Sequence, residues 1–393
     1  MKSLFTFFFL LFLPVFSWGQ GIIFQDGSWA EVKAMAKETG KPIFLDTYTT
    51  WCAPCKLMDK NLFPDKKVGQ FYNANYLCYK MDIEKGDGID FAKQYKIRSV
   101  PSLYFFSSDG KMIHKSVGRP IDTDSFIQIG KDALNPERRL QALTRKFQMG
   151  NREPDFLYDY AVALHKAEEP AGEVVDLYLK TQDKADWPRE KNWRLILNMV
   201  EDFESETFQY VAGNQEALRE NAVDSLDLFL GRILKKSIRD VARGREADRR
   251  EALEKTIRVA FPKQATPMVA KLNYLYYQED PKEAHAYAVA YLDHHATSDH
   301  ELNSAAWKYY ENETDAKRLE SALTWVERSI EIKKYYANSD TRAALLLKLK
   351  RYPEAIKAAQ EAIELGKQSG TETRHTEKLM EKILEESAAS GAN

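Results

Sequence analysis

The chain has 393 residues, of which 44% are hydrophobic and 30% are charged, and its formal net charge is -2 at pH 7. This length favours two to three domains with separate cores, and the composition is that of an ordinary globular protein. A charge balance so close to zero provides no overall field that would attract nucleic acid or an anionic membrane, so we expect neither as a partner.

The first 19 residues are typical of a cleaved signal peptide. Lys2 supplies a positive charge, and an apolar run of 13 residues follows it at residues 4–16. Ser17 and Gly19 place small residues three positions and one position before a cut after Gly19. Because a membrane anchor needs about 20 apolar residues, we expect a mature chain that begins at Gln20, has no membrane span and is periplasmic or secreted.

Residues 20–135 alternate between helix and strand patterns. Ser28 and Glu31 form a capping-box pattern at the start of the first helix, and Gly40 is placed to end it. The predicted strands are "PIFLDTY", "YLCYKMDI", "SLYFFSS" and "KMIHKSVG", with helices before, between and after them. This order predicts a parallel βαβ unit followed by an antiparallel ββα unit, which together form an α/β domain with a mixed central sheet.

A domain boundary is predicted near Asn135 and Pro136, because residues 136–393 show almost no strand pattern. Helical segments rich in Ala, Leu, Glu, Lys and Arg are separated there by short stretches such as "DWPRE", "EDPKEA" and "RYPEA". "ESALTWVERSIEI" and "PEAIKAAQEAIEL" align with a period of 33, which places Ala322 over Ala355. This spacing resembles that of tetratricopeptide repeats, so we expect an all-α, tetratricopeptide-like domain.

The chain has three cysteines, Cys52, Cys55 and Cys78. An exported protein that depended on disulfides for stability would carry many paired cysteines, and a structural zinc site would need four ligands, so both interpretations of the Cys-x-x-Cys pair are weak. We expect no metal and no other cofactor. Cys78 lies within a predicted strand, where a buried cysteine behaves as a small hydrophobic residue.

A redox function explains more of the surroundings of the pair. Thr49 or Thr50 is expected to cap the helix that begins at the pair, which leaves Cys52 in the first turn. The free amides and the dipole of a helix start favour a negative sulfur, and a thiolate is the reactive nucleophile. Cys52 would attack a substrate disulfide. Cys55, one turn on and expected to be less exposed, would resolve the mixed disulfide that forms.

Four features resemble the thioredoxin superfamily over residues 24–134. "WCAPCK" resembles the family's Trp-Cys-x-Pro-Cys-Lys, and Asp46 lies six residues before Cys52, where thioredoxins carry a buried acid. "IRSVPSLYFF" resembles the stretch that contains the family's cis-proline, and Gly118 follows the hairpin as a family glycine does. The chain departs from the pattern at Tyr48, which replaces a common tryptophan, and at "LFPDKK", which breaks the helix after the pair.

The resemblance implies roles for further residues. Asp46 would accept the proton of Cys55 during resolution. Pro101 would be cis and lie beside the cysteines, which leaves the backbone of Val100 free to pair with an extended substrate segment. Trp51 would cover the pair and contact substrate.

The sequence is consistent with two functions. The first is an exported thiol-disulfide oxidoreductase that reduces or exchanges disulfides in client proteins and takes its electrons from a membrane partner. The second is an interaction scaffold, in which the helical region binds partners and the thioredoxin-like domain is a platform. The Ala-Pro between the cysteines resembles the Gly-Pro of reducing family members, so a pKa near about 7 is expected for Cys52.

Overall fold

The structure is a computed structural model that describes residues 21–219 and 225–391. The predicted signal peptide therefore lies outside the described residues. The chain divides into two compact units, residues 1–201 and residues 202–393. Within the part of the chain that the structure describes, no helix has the length and apolar character needed to span a bilayer.

The first unit begins with the predicted alternation of helices and strands. The elements are α1 (Trp29–Thr39), β1 (Ile43–Tyr48), α2 (Ala53–Asn61), α3 (Lys66–Asn75), β2 (Leu77–Asp82), α4 (Asp87–Gln94), β3 (Ser102–Phe106), β4 (Met112–Val117) and α5 (Thr123–Leu134). The four strands form one sheet in the order β2-β1-β3-β4. β1 and β2 are parallel, whereas β3 is antiparallel to both β1 and β4, so the predicted mixed sheet is confirmed.

Local signals set the ends of the first helices. The Ser28 side chain accepts the backbone N–H of Glu31, whose carboxylate accepts the Ser28 N–H in return, and Gly40 ends α1 in the left-handed conformation. Asp65 caps α3 by accepting two backbone N–H groups. The "FPD" interruption thus ends one helix and supplies the cap of the next.

Alternation along the strands divides the core between the two faces of the sheet. Ile43 and Leu45 of β1 face α1 and α4, together with Tyr104 and Phe106 of β3. Phe44 faces the opposite way, into a core built largely from α2, α3 and α5. Because successive strand residues point to opposite faces, Asp46 shares the face of Phe44. This is the face that α2 covers.

Four helices continue the first unit beyond α5, namely α6 (Leu140–Gln148), α7 (Pro154–Lys166), α8 (Gly172–Lys180) and α9 (Glu190–Met199). α6 and α7 pack against β4, the last strand of the sheet. The backbone N–H of Leu140 donates to Nδ1 of the buried His114 at 3.1 Å, and Lys115 pairs with Glu169 at 3.0 Å. The sheet edge is therefore covered by helices that follow the predicted boundary near Asn135, and the position of that boundary stays a prediction.

Every regular element described in the second unit is a helix. These are α10 (Glu206–Gly213), α11 (Gln215–Arg219), α12 (Leu226–Gly244), α13 (Ala247–Ala260), α14 (Ala265–Tyr277), α15 (Ala284–Leu292), α16 (Asp299–Asn312), α17 (Ala316–Ile332), α18 (Tyr336–Lys348), α19 (Tyr352–Ser369) and α20 (Arg374–Ser390). Ala322 and Ala355, the residues aligned by the period of 33, are both fully buried, in α17 and α19. The all-α prediction is confirmed, and the tetratricopeptide assignment stays a prediction.

Candidate functional site: the cysteine pair at the start of α2

Cys52 and Cys55 form a disulfide at the N-terminus of α2. Cys52 is the N-cap residue of the helix, and its Sγ accepts the backbone N–H of Cys55 at 3.1 Å. The first-turn N–H groups of a helix have no partner within the helix, and together with the helix dipole they favour a negative atom at this position. Once the disulfide is reduced, this arrangement stabilises a thiolate at Cys52 rather than at Cys55.

Two details of the sequence prediction are wrong. Neither threonine caps α2, because Cys52 itself occupies the N-cap position. Within the described part of the chain, the buried Thr49 hydroxyl has no hydrogen-bond partner. The expected difference in exposure between the two cysteines is also absent from the disulfide form, in which Cys52 is 2% exposed and Cys55 is 3% exposed. The two sulfurs are instead distinguished by the N–H···S bond.

The loop before β3 lies against the pair. The peptide bond between Val100 and Pro101 is cis, and the Val100 carbonyl oxygen is 3.7 Å from Cys52 Sγ. The carbonyl oxygen of Pro101 accepts the backbone N–H of Gly118 at 2.9 Å, and Gly118 has a φ of +90, which favours glycine. The structure thus brings Pro101, Val100 and the two cysteines together.

Trp51 does not bury its ring against the pair. The residue is 67% exposed, and its indole N–H donates to the two carboxylate oxygens of Glu84 at 3.0 and 3.1 Å. Glu84 lies in the loop between β2 and α4. A large aromatic side chain is therefore held in a set position on the surface, immediately before the first cysteine.

Asp46 is a buried carboxyl group that no hydrogen bond satisfies. The residue is 1% exposed, and neither of its carboxyl oxygens has a hydrogen-bond partner among the described residues. Burial raises the pKa of Asp46 to about 7, the nearby charge of Lys80 opposes this rise, and the charge of Asp59 adds to it. Desolvation penalises the charged form of a buried carboxyl, which makes this group able to exchange a proton near neutral pH.

Lys80 and Asp59 are site residues that the sequence analysis missed. Lys80 is the register partner of Asp46 in the parallel β1–β2 pair, and its Nζ is 3.8 Å from an Asp46 carboxyl oxygen. The same ammonium group forms an ion pair with Asp59 of α2. Asp59 lies four residues after Cys55, so one turn of α2 separates them. The parallel register of β1 and β2 could have indicated Lys80, whereas no local pattern in the sequence indicates that Asp59 reaches it.

Cys78 stands apart from this chemistry. It is a free cysteine buried in the core between the sheet and the helices, and its register partner in β1 is Phe44. Burial raises the pKa of its thiol to about 12. Since the thiol form is unreactive, Cys78 behaves as the small hydrophobic residue that its position in a strand predicts.

The fold and the site define a thioredoxin-like domain with a disulfide-bonded Cys-x-x-Cys pair at the start of a helix. A family model described as "Thioredoxin-like domain" matches residues 29–134. Among curated relatives, the thioredoxin-like protein CITRX2, chloroplastic, of Nicotiana benthamiana is 38% identical over 72 residues, which are 18% of this chain and 37% of that protein. The thiol:disulfide interchange protein DsbD of Yersinia pestis is 35% identical over 97 residues, which are 24% of this chain and 16% of that protein.

Two solved structures are similar to part of the chain. The C-terminal domain of DsbD from Neisseria meningitidis, in the oxidised form, has 23% identity and a TM-score of 0.24, and the match covers 28% of this chain and 98% of that one. Thioredoxin f from spinach chloroplast has 26% identity and a TM-score of 0.23, with 30% and 95% covered. Because the family model matches them, residues 29–134 are a thioredoxin-like domain, and its cysteine pair supports a role in thiol-disulfide exchange.

Proposed function

We propose that the protein is an exported thiol-disulfide oxidoreductase that reduces or exchanges disulfides in client proteins of the cell envelope. The observation that carries this proposal is the Cys52–Cys55 disulfide, in which the Cys55 N–H donates to Cys52 Sγ at the start of α2. The predicted signal peptide supports the location. The names of the DsbD relatives support the same class of reaction.

The reaction begins from the reduced pair. The Cys52 thiolate attacks one sulfur of a client disulfide, which forms a mixed disulfide and releases the other client sulfur as a thiolate. Cys55 then loses its proton to the Asp46 carboxylate and attacks Cys52 Sγ, and the second client sulfur leaves and takes up a proton. Two electrons have passed to the client, and Cys52 and Cys55 are left as the disulfide that the structure contains.

The other predicted residues orient the client. An extended client segment pairs with the backbone of Val100 beside Pro101, which holds the client sulfur close to Cys52 Sγ. The exposed ring of Trp51 provides apolar contact area beside the attack position. A membrane-bound dithiol donor returns the pair to the reduced form, since an oxidising compartment would not do so.

The test is reduction of insulin by the purified mature chain with dithiothreitol as the electron source. We expect Cys52→Ser to abolish catalysed turnover, because the attacking thiolate is gone. Cys78→Ala is the matched control, since it removes an inert thiol from the same domain, and its turnover should equal that of the wild type. Equal turnover by the wild type and Cys52→Ser would reject the enzyme and favour the scaffold function.

A second variant of the purified mature chain tests the order of the two steps. Cys55→Ser leaves the attacking sulfur in place and removes the resolving one, so client proteins should remain attached to Cys52 as mixed disulfides. Mass spectrometry of the trapped adducts identifies the attached cysteine. Adducts found on Cys78 instead of Cys52 would contradict the assignment of the nucleophile.

A further inference from the structure

The ammonium group of Lys80 is held from several sides. It forms an ion pair with Asp59, and it lies 4.8 Å from the ring centre of Tyr48, 5.1 Å from that of Phe63 and 5.6 Å from that of Phe24. Aromatic rings at such distances attract a cation through their electron-rich faces. These contacts come from β1, from α2 and the segment after it, and from Phe24, which forms an isolated β-bridge with Cys78. The position of the ammonium is therefore determined by more than one element.

The Lys80 ammonium lies beside the carboxyl group of Asp46, for which the described residues provide no hydrogen bond. Asp46 lies 3.8 Å from the Lys80 Nζ, which is beyond hydrogen-bond distance, although the side chains are partners in register. Among the described residues, Asp46 and Asp59 are the two acids within ion-pair distance of Lys80. Lys80 thus contacts Asp59 closely and Asp46 only loosely.

We propose that Asp59 is a positioning residue that holds the Lys80 ammonium back from Asp46 and thereby sets the pH range in which Asp46 accepts the proton of Cys55. This inference rests on the proposed function, because it concerns the resolving step of that reaction. The proton leaves Cys55 Sγ and bonds to a carboxyl oxygen of Asp46, while Lys80 and Asp59 stay charged. Asp59 itself touches neither the client nor a reacting sulfur.

The charged groups near Asp46 determine the direction in which its pKa should change when Asp59 is replaced. Lys80 of β2 favours the ionised carboxylate, and Asp59 of α2 disfavours it, while burial disfavours it most. Cys78, two residues before Lys80 in β2, is a neutral thiol, and the register partner of Asp46 in β3 is the apolar Leu103. When Asp59 is neutralised, Lys80 is free to approach Asp46, so the carboxylate should persist to lower pH.

The first experiment measures the protonation of Asp46 directly, by carbon-13 NMR of aspartate-labelled, oxidised full-length mature protein. We expect Asp59→Asn to lower the midpoint of Asp46 by about 1 pH unit, the size of a charge effect over a few ångströms. Asp59→Glu should restore the wild-type midpoint. Asp90→Asn, which removes an exposed charge from α4, should leave it unchanged. A midpoint in Asp59→Asn equal to that of the wild type would overturn the proposal.

A double-mutant cycle separates positioning from a direct effect of the Asp59 charge. In a Lys80→Met background, Asp59→Asn should lower the Asp46 midpoint by a smaller amount, because only the direct effect of the Asp59 charge remains. The same shift in both backgrounds would show that Asp59 acts through space alone and would reject the positioning role.

The last readout is the pH profile of mixed-disulfide resolution, followed as release of a fluorescent client peptide. The acid limb of the profile should move to lower pH in Asp59→Asn by the same amount as the NMR midpoint. A limb that stays in place while the NMR midpoint moves would overturn the link between Asp59 and resolution. Absence of turnover in the wild type would reject the proposed function, and the NMR titration would still decide whether Asp59 positions Lys80.

Discussion

The buried carboxyl group of Asp46 reduces the stability of its domain, although the proposed reaction requires that group. The carboxyl group is buried, no other described residue forms a hydrogen bond with it, and its pKa is raised to about 7 from an ordinary value near 3.8. The folded state therefore binds a proton that the unfolded state has already lost. Between about pH 4 and about pH 7 the free energy of unfolding should fall as the pH rises.

Replacement of this residue should stabilise the domain in a pH-dependent way. A rise of about three pKa units corresponds to about 4 kcal/mol, so Asp46→Asn should gain about 2–4 kcal/mol at pH 8, the lower figure allowing for a buried amide. At pH 4, where Asp46 is protonated when folded, the difference should be small. Hydrogen exchange of the β1 and β3 amides, corrected for its intrinsic pH dependence, measures this difference in the free energy of unfolding within the domain. A difference independent of pH would contradict the account.

The sequence could predict some of the site residues but not how they are arranged. Cys52, Cys55, Asp46 and Pro101 follow from motif positions, since each lies at a fixed spacing from a recognisable signal. Asp59 looks like an ordinary solvated charge on a helix, and its ion pair with Lys80 depends on how α2 lies over β2. That packing is tertiary, so no local pattern reports it.

The ends of the helices also differ in whether local sequence predicts them. Ser28, Glu31 and Gly40 set the bounds of α1 through local hydrogen bonds and backbone conformation, and these were predicted correctly. The N-cap residue of α2 was not predicted correctly, because threonine is the more common N-cap residue and a cysteine sulfur is a weak hydrogen-bond acceptor. Cys52 takes the cap because its sulfur is aimed at the N–H of Cys55.

The contact between β4 and α6 contains a buried histidine whose titration can be tested. His114 is buried where α6 meets this strand, and its neutral ring accepts the Leu140 N–H. Burial lowers the pKa of His114 to about 4, Asp132 opposes the change and Lys166 adds to it. The unfolded state therefore binds a proton more readily, and stability should be lost as the pH falls from about 6.5 to about 4.

The size of this loss should be about 3 kcal/mol, which is the equivalent of about 2.5 pKa units. His114→Asn keeps an acceptor near the position of Nδ1 but does not titrate, so its α6 and β4 amides should show no such loss. Hydrogen exchange between pH 4 and pH 7 compares the two proteins. A loss of equal size in His114→Asn would show that another group is responsible.

The two parts of the molecule differ in how much of their structure can be predicted from the sequence. In residues 20–135, turns and strand alternation specify the order of elements, and the crossover rule then gives the parallel β1–β2 pair. In the helical region, composition and apolar spacing predict helices, but spacing alone does not report which helices pack together. The contacts of α6 and α7 with β4 are an example, since they arise after a boundary that composition had placed near Asn135.

The measurement that tests the central claim most directly is the pKa of the Cys52 thiol. The reduced mature protein is alkylated with iodoacetamide across a range of pH, and the modified cysteine is identified by mass spectrometry. The account predicts a midpoint near about 7 for Cys52, because its sulfur accepts an N–H bond at the start of α2. A midpoint near about 8.5, that of a cysteine in an unfolded peptide, would contradict it.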